Sequence, residues 1–297
     1  MSEDMTQHLE VPIIIIERDE EPLDGLNTPR LNKKRTCLRR VVRAVMVAVF
    51  AFGLLAAYKV YDYYNIDLPI STTPEQNIEK LKRLTNRNNP EVILSHDSIL
   101  GVALDFYAIH GLKASIEFEE PDTADVSVFL YSRCADYTAD GKYLGSLVAN
   151  GKEYQSDRSR LGYMAMANDQ MVIGISRSEK VKDYVVEQGG SFFRQFILVS
   201  NGVIPPRFLL HGKVERRAIG RIDDTLYYIS TRHKETLWDF ADALREYGFV
   251  DAIYITGGTD YYMFYRSADG ARHDLGNPKD YKTENRKDIV PWLVFRR

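Results

Sequence analysis

"TLWDFADALREYGFVDAIYITGGTDYY", Thr236 to Tyr262, runs two periodicities end to end. Leu237, Phe240, Ala241, Leu244 and Tyr247 recur at i, i+3, i+4 spacing and form one apolar stripe of a helix. Thr236 and Asp239 have capping-box spacing, with aspartate in place of glutamate, and Gly248 suits the left-handed stop after the last turn. A β-branched and aromatic run then ends at Gly257-Gly258, and a second run begins after Asp260: strand, tight turn, strand. Two more strand candidates, 216–222 and 225–230, precede the helix. Arg216 to Tyr265 therefore reads strand, strand, helix, strand, Gly-Gly, strand, an α+β unit with a helix packed on a mixed sheet. The helical stripe is expected to face strands carrying Ile219, Tyr227, Ile253 and Ile255. Gly257-Gly258 has two readings: a hairpin turn, or a point where backbone approaches a bound ligand.

Further strands are expected at 125–131, 162–167, 171–176, 193–199, 251–256 and 261–266. Ser178 to Gln188 reads as a short helix stopped by Gly189-Gly190. Thr73 as N-cap and Pro74 at the first helical position predict another short helix over "TTPEQNIEKLKRL".

The chain has 297 residues, with 39 Lys and Arg against 42 Asp and Glu, a net charge of −3. That balance and the lack of Walker or zinc-finger spacing argue against a nucleic-acid partner. Cys37 and Cys134 are its 2 cysteines. They lie far apart, so no disulfide framework, Cys-based metal site or other metal or cofactor is expected.

"RRVVRAVMVAVFAFGLLAAYKVYDYY", from Arg39 to Tyr64, reads as a membrane span. Val45 to Tyr58 is uncharged, and the run reaches about 18 residues if Arg43 snorkels to the headgroups. Tyr58, Tyr61, Tyr63 and Tyr64 form an aromatic belt at its far end. Lys33, Lys34, Arg35, Arg39 and Arg40 lie before it, so the positive-inside rule puts the N-terminus in the cytoplasm. A buried core helix would not carry those flanking cations, and a signal peptide has a shorter leading region, although Leu55-Ala56-Ala57 has the small-residue pattern of a cleavage site and leaves processing open. The absence of Asn-x-Ser/Thr acceptors and of paired cysteines favours a bacterial inner membrane, single-pass, with a periplasmic or extracytoplasmic domain. The expected organisation is a disordered cytoplasmic tail (1–38), an anchor (39–60), a membrane-proximal linker with a short helix (61–90) and a globular domain (91–297).

Three blocks resemble the phosphodiester glycosidase family, relatives of the "uncovering enzyme" that removes N-acetylglucosamine from a phosphodiester on mannose 6-phosphate. They are "GYMAMANDQMVIGIS" (162–176), "FRQFILVSNGVI" (193–204) and "ERRAIGRIDDTLYYIS" running on through the helix to "AIYITGG" (215–258). The third is the most specific. Arg216 matches the arginine of the family's "RxAIG". Two positions depart from the pattern: Thr256 stands where the resemblance implies an aspartate before the Gly-Gly pair, and Asn168-Asp169 replaces an Asn-Gly motif.

The resemblance implies cleavage of a sugar-1-phosphodiester at the anomeric carbon. That chemistry needs charge stabilisation on the departing phosphate and a carboxylate or activated water at an oxocarbenium-like carbon. Arg216 is the candidate for the first task, helped by backbone N–H groups of Gly257 and Gly258. Asp260 is the candidate rebuilt carboxylate, with a solvated turn aspartate as its plainer reading. Thr256 and Gly257-Gly258 would line the pocket. His233 is a candidate base or an exposed loop histidine, and Asn168 a sugar-hydroxyl ligand or a turn residue. Two functions compete. One is a membrane-anchored hydrolase of a phosphorylated glycan. The other is an inactive relative that binds an envelope glycan or a protein partner.

Overall fold

The computed structural model describes residues 30–65, 68–83, 89–136, 138, 142–205, 212–258, 262–276 and 290–297. The chain divides into two units, Met1–Ile66 and Asp67–Arg297. The first contains helix α1 (Arg30–Asn65), within which Leu38–Tyr61 is long and apolar enough to cross a membrane. Its apolar side chains, Val47, Phe50 and Phe52 among them, are exposed among the described residues. Residues 1–29, most of the expected tail, lie outside the described residues.

The second unit is built on three sheets. The first has the order β1 (Glu91–Ile99), β2 (Val102–His110), β12 (Thr225–Thr231), β11 (Arg216–Ile222), β13 (Asp251–Gly257), β10 (Ile197–Ser200). The second runs β15 (Arg272–Gly276), β14 (Tyr262–Arg266), β4 (Val128–Arg133), β16 (Trp292–Arg296), β3 (Lys113–Glu117). The third runs β6 (Lys152–Gln155), β5 (Leu147–Ala149), β9 (Ser191–Gln195), β7 (Gly162–Ala167), β8 (Gln170–Ile175). The α+β class holds, but the expected mixed sheet does not: the pairings within all three sheets are antiparallel. The reason is local. Tight turns at Leu100-Gly101, Asn168-Asp169 and Asp223-Asp224 join sequential strands as hairpins, and a hairpin pairs its strands antiparallel.

Helix α4 (Leu237–Tyr247) forms as its sequence dictates. The Thr236 hydroxyl accepts from Asp239 N–H, and Gly248 adopts φ 105° at the C-terminal end. Its stripe packs on the first sheet, but on a different strand face from the expected one. Leu237, Phe240, Ala241 and Leu244 cluster with Leu104, Phe106, Ala218, Ile229, Ala252 and Tyr254, with Tyr227 alongside. Ile219, Ile253 and Ile255 point into the other core, with residues of all three sheets. Period-2 alternation makes these assignments mutually exclusive: a helix that touches Ala252 and Tyr254 cannot touch Ile253 and Ile255.

Helices α2 (Pro74–Leu81) and α3 (Lys180–Glu187) cover the third sheet. Leu81, Val181 and Val185 pack on Tyr163 and Phe192. Thr73 and Gln76 cap α2 reciprocally, with Pro74 in its first turn. Buried Asn77 donates through Nδ2 to the Tyr163 hydroxyl at 2.7 Å, which ties α2 into the globular unit.

One expected strand, 193–199, proves to be two. β9 ends at Gln195 in the third sheet, and β10 begins at Ile197 in the first. The break at Phe196 brings an end of the third sheet beside an end of the first. β4, in the second sheet, ends at the same place.

Candidate active site

The ends of three strands, one from each sheet, supply the site. Asp136 follows β4, Gln195 ends β9, and Thr256 lies at the end of β13. Thr256 Oγ1 donates to Asp136 Oδ1 at 2.8 Å. Gln195 Nε2 lies 3.3 Å from Asp136 Oδ2 as donor, while its own Oε1 accepts from Phe196 N–H at 3.0 Å. That second bond orients the buried amide so that its donor end faces the carboxylate.

Arginines surround this carboxylate. Burial raises the Asp136 pKa above its ordinary value of 3.8, while the Thr256 hydrogen bond and the guanidinium groups of Arg133, Arg160 and Arg216 pull it down. Arg133 and Arg216 are buried, and Arg160 is partly exposed. Arg216 is held by the backbone: Nε donates to Glu235 O at 3.0 Å and Nη2 to Gly212 O at 2.5 Å. Its guanidinium also lies 5.8 Å from the centre of the Tyr254 ring. The Tyr254 hydroxyl is pushed up to about 12, first by burial and then by Asp136, against the pull of Arg216.

Arg160 is arranged differently. Its guanidinium carbon sits 4.0 Å from the centre of the Phe196 ring. Its buried Nε has no hydrogen-bond partner among the described residues. Burial lowers its pKa, while Asp157 and Asp136 act to raise it. A guanidinium stacked on an aromatic face, with its fork not hydrogen-bonded among the described residues, has the planar donor geometry that suits an oxyanion.

The Gly257-Gly258 pair has a packing role. A Cβ on Gly257 would collide with the Tyr254 hydroxyl and the Glu215 carbonyl oxygen. Gly258 adopts φ 94°. Its N–H donates to Glu215 O at 2.9 Å, and its carbonyl accepts from Arg217 Nη2 at 3.0 Å. The Gly258 N–H is therefore already committed to the neighbouring strand. The pair lets Tyr254 and the wholly buried Arg217 close on the strand end.

Of the residues singled out from sequence, Arg216, Thr256, Gly257 and Gly258 gather at this strand end. His233 is exposed in the loop after β12, and no bond among the described residues links it to Asp136 or the arginines. Asn168 has φ 51° in the turn between β7 and β8, and its Nδ2 donates to Leu81 O at 3.2 Å and the Tyr184 hydroxyl at 3.0 Å. It fastens the helices to the third sheet. Asp260 lies outside the described residues. Sequence reading missed Asp136, Arg133, Arg160, Gln195 and Tyr254. The available signal was the run "VFLYSRCAD", in which a strand ends abruptly in an arginine and an aspartate.

The sequence profile of the phosphodiester glycosidase family matches residues 132–295, more than half of the chain. The chain belongs to that family. The matched span includes Arg133, Asp136, Arg160, Gln195, Arg216 and Thr256, so the whole arginine–carboxylate cluster falls inside the phosphodiester glycosidase domain. A solved structure of similar fold is the catalytic domain of zebrafish N-acetylglucosamine-1-phosphodiester alpha-N-acetylglucosaminidase, auto-inhibited by its pro-peptide. The identity is 12%, with a TM-score of 0.50 over 77% of this chain and 97% of that one. A hypothetical protein from Synechocystis aligns at 10% identity and TM-score 0.49, over 69% of this chain and 62% of that one. No curated protein matches the chain.

Proposed function

We propose that the protein is a membrane-anchored phosphodiester glycosidase that binds a phosphorylated glycan and hydrolyses its sugar-1-phosphodiester. The observation that carries this reading is the Asp136 carboxylate held by Thr256 and Gln195 with Arg160 and Arg216 acting on it, the Arg160 Nε having no hydrogen-bond partner among the described residues. Departing phosphate carries negative charge, and preorganised arginines stabilise it without solvent reorganisation. Arg160 and Arg216 hold the phosphate, and Thr256 and Gly257 shape the wall beside it. The apolar helix α1 with its N-terminal cations supports an inner-membrane anchor, a cytoplasmic N-terminus and an extracytoplasmic catalytic domain of a bacterial cell. C-terminal reporter fusions test this topology; a cytoplasmic reporter active at that end overturns it.

Ligand binding tests the site. Titration of the full chain in detergent with a methyl diester of N-acetylglucosamine 1-phosphate should show saturable binding. Arg160→Gln should weaken it about tenfold to a hundredfold, as for loss of one charge-assisted bond. Unchanged affinity overturns the pocket assignment. The second reading, an inactive glycan binder, draws on Thr256 standing where the resemblance implies an aspartate; binding without turnover would establish it.

A further inference from the structure

We infer that Asp136 is the catalytic carboxylate of this site, reaching from the second sheet to the place beside Thr256 where the first sheet offers only a hydroxyl. The inference rests on the hydrolase reading above and assigns the residue that makes hydrolysis possible.

Three observations support it. First, Asp136 as a residue is only partly buried, so it sits at the rim of the cluster rather than in the core. Second, its two oxygens each face one neutral donor, Thr256 Oγ1 at 2.8 Å and Gln195 Nε2 at 3.3 Å. A carboxylate oxygen has two lone-pair directions, so one donor on each leaves acceptor capacity for a water molecule. Third, the surrounding cations are placed to receive an anion. Arg160 has an Nε with no hydrogen-bond partner among the described residues, and the Arg216 fork is braced by the carbonyls of Glu235 and Gly212. A phosphate held by these arginines puts its glycosidic carbon within the same cluster as Asp136.

The other charged end of these strands offers no alternative. Asp251 is wholly buried and joined to Arg221 at 2.6 Å. Glu215 lies at the site end, before Arg216; its backbone carbonyl accepts from Gly258 N–H and its buried Oε2 has no hydrogen-bond partner among the described residues, so no donor there orients it as Thr256 and Gln195 orient Asp136.

The step balances as a hydrolysis. The oxygen of a water molecule forms a bond to the anomeric carbon as the bond from that carbon to the phosphate oxygen breaks. The electron pair of the broken bond leaves with the phosphate oxygen, which Arg160 and Arg216 stabilise. The water's proton passes to Asp136 and from there to solvent. The products are the free sugar and a phosphate monoester. Phosphate departs as a weak base, so the carboxylate is needed at the water rather than at the leaving group.

Three variants test the assignment on the full chain, each checked for folding by its thermal transition. The probe is the methyl diester of N-acetylglucosamine 1-phosphate, with the galactose and glucose analogues beside it. Asp136→Asn keeps the shape and removes the charge. It should lower kcat by about a hundredfold or more. It should also bind the diester as tightly as wild type or tighter, because one negative charge has left an anion site. A purely structural role would weaken binding and kcat together, and that result overturns the proposal. Asp136→Thr with Thr256→Asp exchanges the two side chains. This double variant should recover turnover at least tenfold over Asp136→Thr alone; no recovery, with the fold intact, counts against a carboxylate acting at this spot. The acid limb of the wild-type kcat profile should be absent from the residual rate of Asp136→Asn. Wild-type binding with no turnover of any of the three diesters overturns the catalytic assignment and leaves the binding reading standing. No binding overturns both.

Discussion

Strands β11 and β13 lie side by side, and their two ends use similar residues in opposite ways. At one end Arg221 Nη2 donates to Asp251 Oδ2 at 2.6 Å, and Arg221 Nη1 donates to the Asp223 carbonyl at 2.6 Å. Asp251 Oδ1 accepts from Asn201 N–H at 3.4 Å. One cation meets one anion, and each has further partners. At the other end Arg133, Arg160 and Arg216 act on the carboxylate of Asp136, Asp157 also acts on Arg160, and the Arg160 Nε has no hydrogen-bond partner among the described residues. A closed pair fixes the strands in register, whereas a cluster with a donor left unbonded among the described residues has capacity for a charged ligand. On the proposed function the two ends separate stability from ligand binding, and substitutions at each should show that separation.

The largest effect on stability is expected at the closed end. Asp251→Ala leaves Arg221 without its carboxylate and removes the acceptor of Asn201 N–H. Water reaches part of the Arg221 side chain, which is 26% exposed. The loss is therefore placed at the low end for a broken buried pair, about 3 kcal/mol, read from urea unfolding. Affinity for the glycosyl phosphate should stay unchanged. A stable Asp251→Ala that binds poorly would invert the comparison.

Next come the glycines, which join the site to the sheet. Gly257→Ala forces a methyl group against the Tyr254 hydroxyl and the Glu215 carbonyl, and should cost about 1–3 kcal/mol. Gly258→Ala meets open space and strains only the backbone at φ 94°, so roughly 1 kcal/mol is expected. Thermal denaturation of the pair should rank Gly257→Ala as the more damaging. The reverse order would mean that Tyr254 is free to move away from the strand end.

Arg160→Gln should change stability less, by under about 1 kcal/mol, because it loses chiefly a stacking contact with Phe196. Its effect belongs to ligand affinity instead. A calorimetric transition lowered by several times that amount would place Arg160 among the structural arginines.

The smallest effect concerns pH. Asp136 is faced by Arg133 from its own segment, Arg160 ahead of β7, Arg216 on β11, and Thr256 and Tyr254 on β13. Its folded pKa is raised above 3.8, so the folded state binds the proton more tightly than the unfolded chain. That contribution to stability is fully present below the unfolded pKa and is lost as pH rises through the folded value. Relative to Asp136→Asn, wild type should lose stability from about pH 4 upwards, in unfolding curves taken across the acid range. The opposite slope would show that the arginines outweigh burial.

Much of the region between 216 and 266 was legible in the sequence because its signals are local. The caps and stripe of α4, the hairpin of β11 with β12 and the Gly-Gly stop all lie within a few residues of what they determine. The break at Phe196 was not legible. An uninterrupted apolar run carries no mark of the point where the chain leaves one sheet for another. β1 and β2 had a local signal, alternation on either side of Leu100-Gly101, and still escaped the reading.

The sequence by itself determined the apolar helix near the N-terminus and the α+β class, and it singled out Arg216 and Thr256, which the structure places at one strand end. Those features follow from composition and short-range spacing, or from a motif that runs unbroken along the chain. Only the tertiary structure chose which face of the first sheet receives α4, since the alternating residues on both faces of β13 are apolar and either set could have met the helix. Only the tertiary structure brought Asp136 to Thr256, from the end of one sheet to the end of another. No local pattern encodes that meeting. It exists because three separately hydrogen-bonded sheets end at one point, and the chemistry of that point is the sum of side chains that the sequence keeps far apart.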